Sequence, residues 1–307
     1  WSTYSRFVGD VFGSALAAEG IFAFFLESGF LAILLFGWDR VSARVHWFST
    51  LMVTFGAHFS AVWIIVANSW MQTPAGHHIV DSPSGPRAEI VDFWQVVFNP
   101  STLQRLSHVL LASWQAGAFL VLSVSAFYLL KRRHEELAGL SMKIALVVAV
   151  VASLGQLVTG HWSAVGVSET QPAKLAAFEA HFPVEGPAPM YLWGWVDEAG
   201  ERVRGGLAIP GMLGLLVTGD PSASITGLGA FAPEDRPPVN ATFQSYHLMV
   251  ALGMALIGLS ILGLYFHWRG TLARRRWLLA VFVPAVIAPQ LSIQSGWIAA
   301  EVGRQPW

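Results

Sequence analysis

Three residues of iron-binding type stand near the ends of long apolar segments: His108 opens one, Met249 opens another and Glu301 closes a third. A neutral imidazole and a thioether can serve as the axial pair of a low-spin haem, which carries electrons without binding oxygen. A carboxylate such as Glu301 is a weaker ligand that leaves iron an open site, or a proton acceptor beside it. Each residue also has a plainer reading. A lone intramembrane histidine packs against a neighbouring carbonyl, and methionine fills core gaps. Glu301 can simply pair with Arg304, which follows within one turn. His247 shares a turn with Met249 and is either a rival ligand or a partner for a haem propionate, a role open to Arg304 as well.

Carboxylates inside apolar helices form a second group. Glu19 and Glu27 are eight residues apart in AAEGIFAFFLESGF, a spacing that turns ~80° around an α-helix and lets both line one channel. Carboxylates in lipid are costly and mark proton paths, or else each bonds a neighbouring helix. Ser60 and Asn68 have the same spacing on the next segment and could extend a hydrogen-bonded line. In the polar loop, QPAKLAAFE places Lys174 and Glu179 on a short helix. They could bracket the hydroxyls of a quinol, with Glu179 accepting a proton and Lys174 stabilising developing charge. Two solvated charges on a surface helix would produce the same string. His181, just beyond, reads as loop-exposed.

The elements that must position these residues are membrane helices. Hydrophobic residues make up 54% of the chain and charged residues 12%, about half the usual charged fraction. A spanning helix needs ~20 mostly apolar residues. Six such segments lie at 11–36, 47–72, 103–130, 142–165, 242–266 and 277–301. Tryptophans near segment ends, among them Trp47, Trp70, Trp268, Trp277 and Trp297, suit an interfacial belt. The fold class is therefore all-α, a polytopic membrane helix bundle over residues 1–307. The short loops at 37–46, 131–141 and 267–276 are rich in arginine and lysine and belong in the cytoplasm. The loops at 73–102 and 166–241 then face outward, with Trp307. Within the second, GGLAIPGMLGLLVTG is too short to span and is expected to lie at the interface or re-enter.

Composition also excludes. The net charge of −1 gives no basic field for nucleic acid. There is no cysteine, so disulfides, iron–sulfur clusters, thiolate metal sites and covalently attached haem c are ruled out. The chain begins at Trp1 and stops at Trp307, as a piece cut at both ends from a longer protein would.

FGSALAAEGIFAFFLESGFLAILLFGWDR, WIIVANSWMQTPAG, VFNPSTLQRLSHVLLASWQAGAF, QPAKLAAFE and GWIAAEVGRQPW together resemble subunit I of cytochrome bd-type quinol oxidases over nearly the whole chain. The compact loop after Glu179 resembles the short-loop branch, which includes cyanide-insensitive oxidases. The resemblance implies a terminal oxidase of the bacterial cytoplasmic (inner) membrane that oxidises ubiquinol or menaquinol and reduces dioxygen to water with cytoplasmic protons. It implies a low-spin haem b on His108 and Met249 and a high-spin haem b on Glu301. The third group is a haem d or a further haem b. It assigns Lys174 and Glu179 to the quinol loop, and Glu19 and Glu27 to proton delivery and the haem d pocket, with Ser60 near that route. Its partners would be an oxidase subunit II and a small single-helix subunit. Two departures stand out: a haem-ligating histidine on an earlier helix of the family falls outside this chain, and His247 stands where some relatives carry arginine. A b-type electron carrier and a haem-free proton carrier are the competing readings.

Overall fold

The computed structural model describes residues 2–83, 85–184 and 186–306; Trp1 and Trp307 lie outside them. Six helices are long and apolar enough to cross a membrane: α2 (Gly9–Phe36), α3 (Ala43–Gln72), α5 (Thr102–Lys131), α6 (Glu135–Thr170), the helix within Pro233–Trp268, and α10 (Arg276–Val302). They coincide with the six apolar segments and extend each by a few residues, because polar residues at the ends continue the backbone ladder. α6 gains most, running to Thr170, so the long loop that follows starts at Gln171. The chain groups into two compact units, residues 1–110 and 111–307.

In the first unit, a short helix α1 (Ser2–Phe7) leads into α2. Its middle, Glu19–Phe24, is a π-helical turn, a form that concentrates at functional sites. The wider turn underwinds the helix, so Glu19 and Glu27 do not keep plain α-helical spacing. α3 is capped by Ser42, whose Oγ accepts from the Val45 N–H (3.4 Å). The loop at 73–102 holds an antiparallel hairpin, β1 (His77–Val80) with β2 (Arg87–Ile90), and the short helix α4 (Phe93–Val97). Val8, Val11, Val66, Trp70, Ala88, Val96 and Val97 form the core beneath it.

In the second unit, Phe119, Leu122, Met142, Leu146, Leu256, Leu278 and Phe282 centre the bundle core. Gly263 permits the approach there, since a Cβ would meet the Phe282 ring at 2.6 Å and Leu146 at 2.7 Å. Pro284 breaks α10 with a 3-10 turn, and the Ser123 hydroxyl donates to the Val283 carbonyl beside it (2.5 Å). The outer loop folds into α7 (Pro172–Phe178), a hairpin of β3 (Met190–Asp197) with β4 (Arg202–Ile209), and α8 (Met212–Thr218). GGLAIPGMLGLLVTG is thus not one continuous element. Its first half is strand and its second a separate short helix, parted at Pro210 and at Gly211, whose φ of 66° suits glycine. α9 (Val239–Trp268) follows.

Candidate functional site

In the second unit, the run QPAKLAAF folds as α7 because Pro172 sits in the first turn, where its missing N–H costs nothing. Glu179 closes the helix. Lys174 and Glu179 are each only 2% exposed, so they are not two solvated charges on a surface helix. Five residues apart, they also point to different sides of α7. Lys174 Nζ donates to Gln171 Oε1 (2.7 Å) and lines a cavity of about 160 Å³ with Gln171, Phe231, Asp235, Gly303 and Arg304. Gly303 lets the lysine stem pass, since a Cβ there would stand 3.1 Å from Lys174 Cγ.

Glu179 faces α9 and β3 instead. Its Oε2 is buried without a hydrogen-bond partner and lies 4.0 Å from His247 Nε2, too far for a hydrogen bond. Burial pushes the Glu179 carboxyl up to about 8, against the opposing pull of the Tyr191 backbone N–H. The group therefore carries a proton at neutral pH and can release it just above. Tyr246 stacks on Phe178, with centroids 4.5 Å apart and planes at 3°, and walls this side. His181 is buried as well, not loop-exposed: Nε2 lies 3.1 Å from the Ile225 carbonyl, and burial lowers its pKa.

His247 stacks on Phe243 at 3.9 Å. Its Nδ1 lies 2.9 Å from the Phe243 carbonyl and its Nε2 2.8 Å from the Tyr191 carbonyl. With both nitrogens held at backbone oxygens, neither points a lone pair at a metal or a free N–H at a propionate. The cause is β3, whose placement beside α9 local sequence does not announce.

Met249 is half-buried one half-turn further along α9. α10 crosses it closely: Ser292 Oγ donates to the Met249 carbonyl (3.2 Å), and a Cβ at Gly296 would stand 2.7 Å from the Met249 sulfur. Glu301 lies further along α10, where Arg304 Nε donates to its Oε2 (2.7 Å). The ion-pair geometry is present, with the Glu301 side chain one-third exposed.

In the first unit, His108 is half-buried in the second turn of α5. One turn before it, Arg105 Nη1 donates to Asn68 Oδ1 (3.1 Å). Asn68 thus ties α3 to α5. Ser60 does bridge to the carboxylates: its Oγ donates to Glu19 Oε1 (2.6 Å). Glu27 has its backbone against Gly56, where a Cβ would meet Glu27 Cβ at 3.0 Å and N at 3.1 Å. Both acids thus face α3.

Half-buried imidazole, thioether and carboxylate donors inside spans suit axial ligation of haem, which asks one or two donors of the protein. No cluster of three or more metal-binding side chains occurs among the described residues. Gln171, Tyr191 and Gly296 are contributors that residue type alone did not single out. Only Gln171 had a signal, its place at the head of the QPAK string.

Comparison with known proteins gives one answer. Residues 1–307 match the family described as cytochrome bd terminal oxidase subunit I. The chain is 37% identical over 317 residues to the cytochrome bd ubiquinol oxidase subunit 1 of Bacillus subtilis, covering 100% of this chain and 67% of the relative. It is 32% identical over 374 residues to the cytochrome bd-II ubiquinol oxidase subunit 1 of Escherichia coli, covering 100% and 72%. The bd oxidase structure from Geobacillus thermodenitrificans superposes with a TM-score of 0.88 at 30% identity, covering 100% of this chain and 70% of that one.

Proposed function

This chain belongs to the cytochrome bd terminal oxidase subunit I family, and on that footing we propose that it oxidises a quinol on its outer face and delivers the electrons to dioxygen within a membrane oxidase. The observation that carries the quinol assignment is the buried pair in the outer loop. Lys174 lines a cavity with Gln171 and Arg304, and Glu179, on the other side of α7, holds a buried carboxyl that bears a proton at neutral pH. Quinol oxidation releases two protons and two electrons. In this reading Glu179, when ionised, takes one proton passed to it from the cavity side, the second leaves to the outer water, the two electrons pass on toward dioxygen, and the Lys174 ammonium stabilises the phenolate that develops. The cavity is smaller than a typical ligand pocket and suits a polar head group, leaving the isoprenoid chain in lipid.

His108 and Met249 are proposed as axial ligands of a low-spin haem b and Glu301 as the ligand of a high-spin haem b, assignments that rest on the motifs together with the donor chemistry. A haem d or third haem b would complete the set. When bound, these groups supply one-electron carriers and an iron that takes up dioxygen. Arg304, beside Glu301, offers a cation to a propionate. Glu19, with Ser60 donating to it, and Glu27 hold and pass the protons that water formation consumes. The proposed setting is the bacterial cytoplasmic membrane, with a second oxidase subunit and a small single-helix subunit as partners and ubiquinol or menaquinol as donor.

The deciding experiment compares Glu179→Gln and Lys174→Met with the native complex, using quinol and an artificial donor that bypasses the quinol site. Loss of quinol oxidation with retained oxygen reduction from the bypass donor supports the assignment. Native quinol kinetics in both variants overturn it.

A further inference from the structure

The β3–β4 hairpin has two apolar faces, and the unit uses only one. Tyr191, Val196 and Val203 pack inward against the cluster containing Phe243 and Leu228. On the outside, Trp193 pairs directly with Leu207 across the hairpin. These two are 56% and 53% exposed, and Trp195 is 66% exposed. Contiguous large apolar groups on an exposed surface mark a contact site.

Three hydrogen bonds fix the depth of this face. The Asn240 N–H donates to Glu198 Oε1 (2.8 Å), Gln244 Nε2 donates to the Gly194 carbonyl (2.8 Å), and His247 Nε2 lies 2.8 Å from the Tyr191 carbonyl. The hairpin tip is therefore level with the first turn of α9. The start of β3 is level with His247, about 10 Å further along the helix axis at ~1.5 Å per residue. From the next residue the helix itself shows apolar groups outward, at Leu248 and Val250. The hairpin thus occupies the zone between water and the apolar part of a span. A two-stranded sheet has unpaired edges and cannot enter hydrocarbon, whereas tryptophan favours the headgroup layer. At the tip, Arg202 and Arg204 share one carboxylate, Asp197, and stay exposed. Glu198 and Glu201 are engaged elsewhere, by the Asn240 N–H and by Arg236, so the outward guanidinium N–H groups of Arg202 and Arg204 are available to lipid phosphate.

We propose that the outer face of this hairpin is a membrane-docking surface, with Trp193, Trp195 and Leu207 seated in the headgroup layer of the adjoining leaflet and Arg202 and Arg204 against lipid phosphates. The seat has a consequence for the site beneath. Tyr191, on the same strand, touches both Glu179 and His247 through its backbone. Lipid contact steadies the wall behind the buried carboxyl. The inference needs only the membrane reading and stands independently of the redox assignment.

The chain contains no cysteine, so single cysteines report on their own positions. Trp193→Cys, Trp195→Cys and Leu207→Cys are each introduced into the assembled oxidase, labelled with a fluorophore and placed in phospholipid vesicles. Glu201→Cys, at the tip, is the water-facing control, and the parent complex gives the background. Leu207→Cys secures the test if either tryptophan variant fails to assemble. The expected result is strong quenching by headgroup-level nitroxide lipid, weaker quenching by nitroxide deep in the acyl chain, and several-fold less quenching by aqueous iodide than at position 201. Iodide quenching equal to the control would make the face a water-exposed surface and overturn the proposal. Shielding from both lipid and iodide quenchers would show that protein covers it and would overturn the proposal equally.

Discussion

The Glu179 carboxyl lies 4.0 Å from the His247 ring, yet the ring nitrogen nearest to it is held by the Tyr191 carbonyl at 2.8 Å. Glu179 is therefore left with burial as the dominant influence, and its pKa rises to about 8. Only the ionised carboxylate can accept a quinol proton, so quinol oxidation should increase as pH rises through about 8. Glu179→Gln should remove that limb of the profile as well as most of the rate. The stability term has the opposite sense. The folded state holds this proton more tightly than the unfolded chain does, so Glu179 costs stability progressively as pH climbs from its ordinary value of 4.5 through about 8. A pH series of quinol kinetics and thermal melts on both proteins checks both signs.

His108→Ala and Met249→Leu should each abolish the low-spin haem signal while the protein still inserts. Both residues are half-buried within spans, and neither substitution adds volume or charge. Reduced-minus-oxidised spectra of purified complexes make the test, and an unaltered spectrum in both variants would falsify the ligand assignment. His247→Gln serves as the contrast. Because both nitrogens of His247 already meet backbone carbonyls, its loss should leave the haem signal in place and weaken the hairpin's attachment to α9.

Gly56 marks where α3 presses on the backbone of Glu27. A methyl there would meet Glu27 Cβ at 3.0 Å and N at 3.1 Å, whereas one at Gly13 meets nothing within 4 Å. Close helix approach at small residues is a main source of packing in membranes. Gly56→Ala should therefore destabilise by roughly 1–3 kcal/mol through overpacking. Gly13→Ala should be neutral or stabilise by up to ~1 kcal/mol through lower chain entropy. Thermal melts in one detergent compare the two directly.

The spans were legible in the sequence because hydrocarbon demands a long apolar run, and all six helices fall on the six apolar segments. The ligand candidates and the QPAKLAAFE string were legible from residue type and motif. Two kinds of feature were not. The outer loops looked like irregular chain, yet they hold two hairpins, because strands this short carry little periodic signal. The burial of Lys174, Glu179 and His181 depends on β3, α9 and the Ile225 region closing over them, contacts made by residues far away in sequence. His247 shows the same limit: its type allowed ligation, and a carbonyl from a strand 56 residues away took its nitrogen.

Glu19 and Glu27, both proposed to carry protons, stand in different surroundings. Glu19 receives the Ser60 hydroxyl at 2.6 Å, so its carboxylate is stabilised in place. Glu27 sits beyond the π-helical turn with its backbone against Gly56. With the arginine-rich loop at 37–46 placed in the cytoplasm, as the charge pattern predicts, a proton entering from that side would meet Glu27 before Glu19. Glu27→Gln keeps the size and hydrogen-bonding capacity and removes only the ability to carry a proton. In the assembled oxidase it should retain near-native haem content while oxygen reduction and proton uptake fall at least ~10-fold, within the range for losing a proton-transfer group. Ser60→Ala should slow the same two rates less, since Glu19 keeps its carboxyl and loses only one hydrogen-bond donor. Stopped-flow proton uptake alongside oxygen consumption separates the outcomes. Native turnover in Glu27→Gln would make Glu27 a structural carboxylate and move the proton route to another helix.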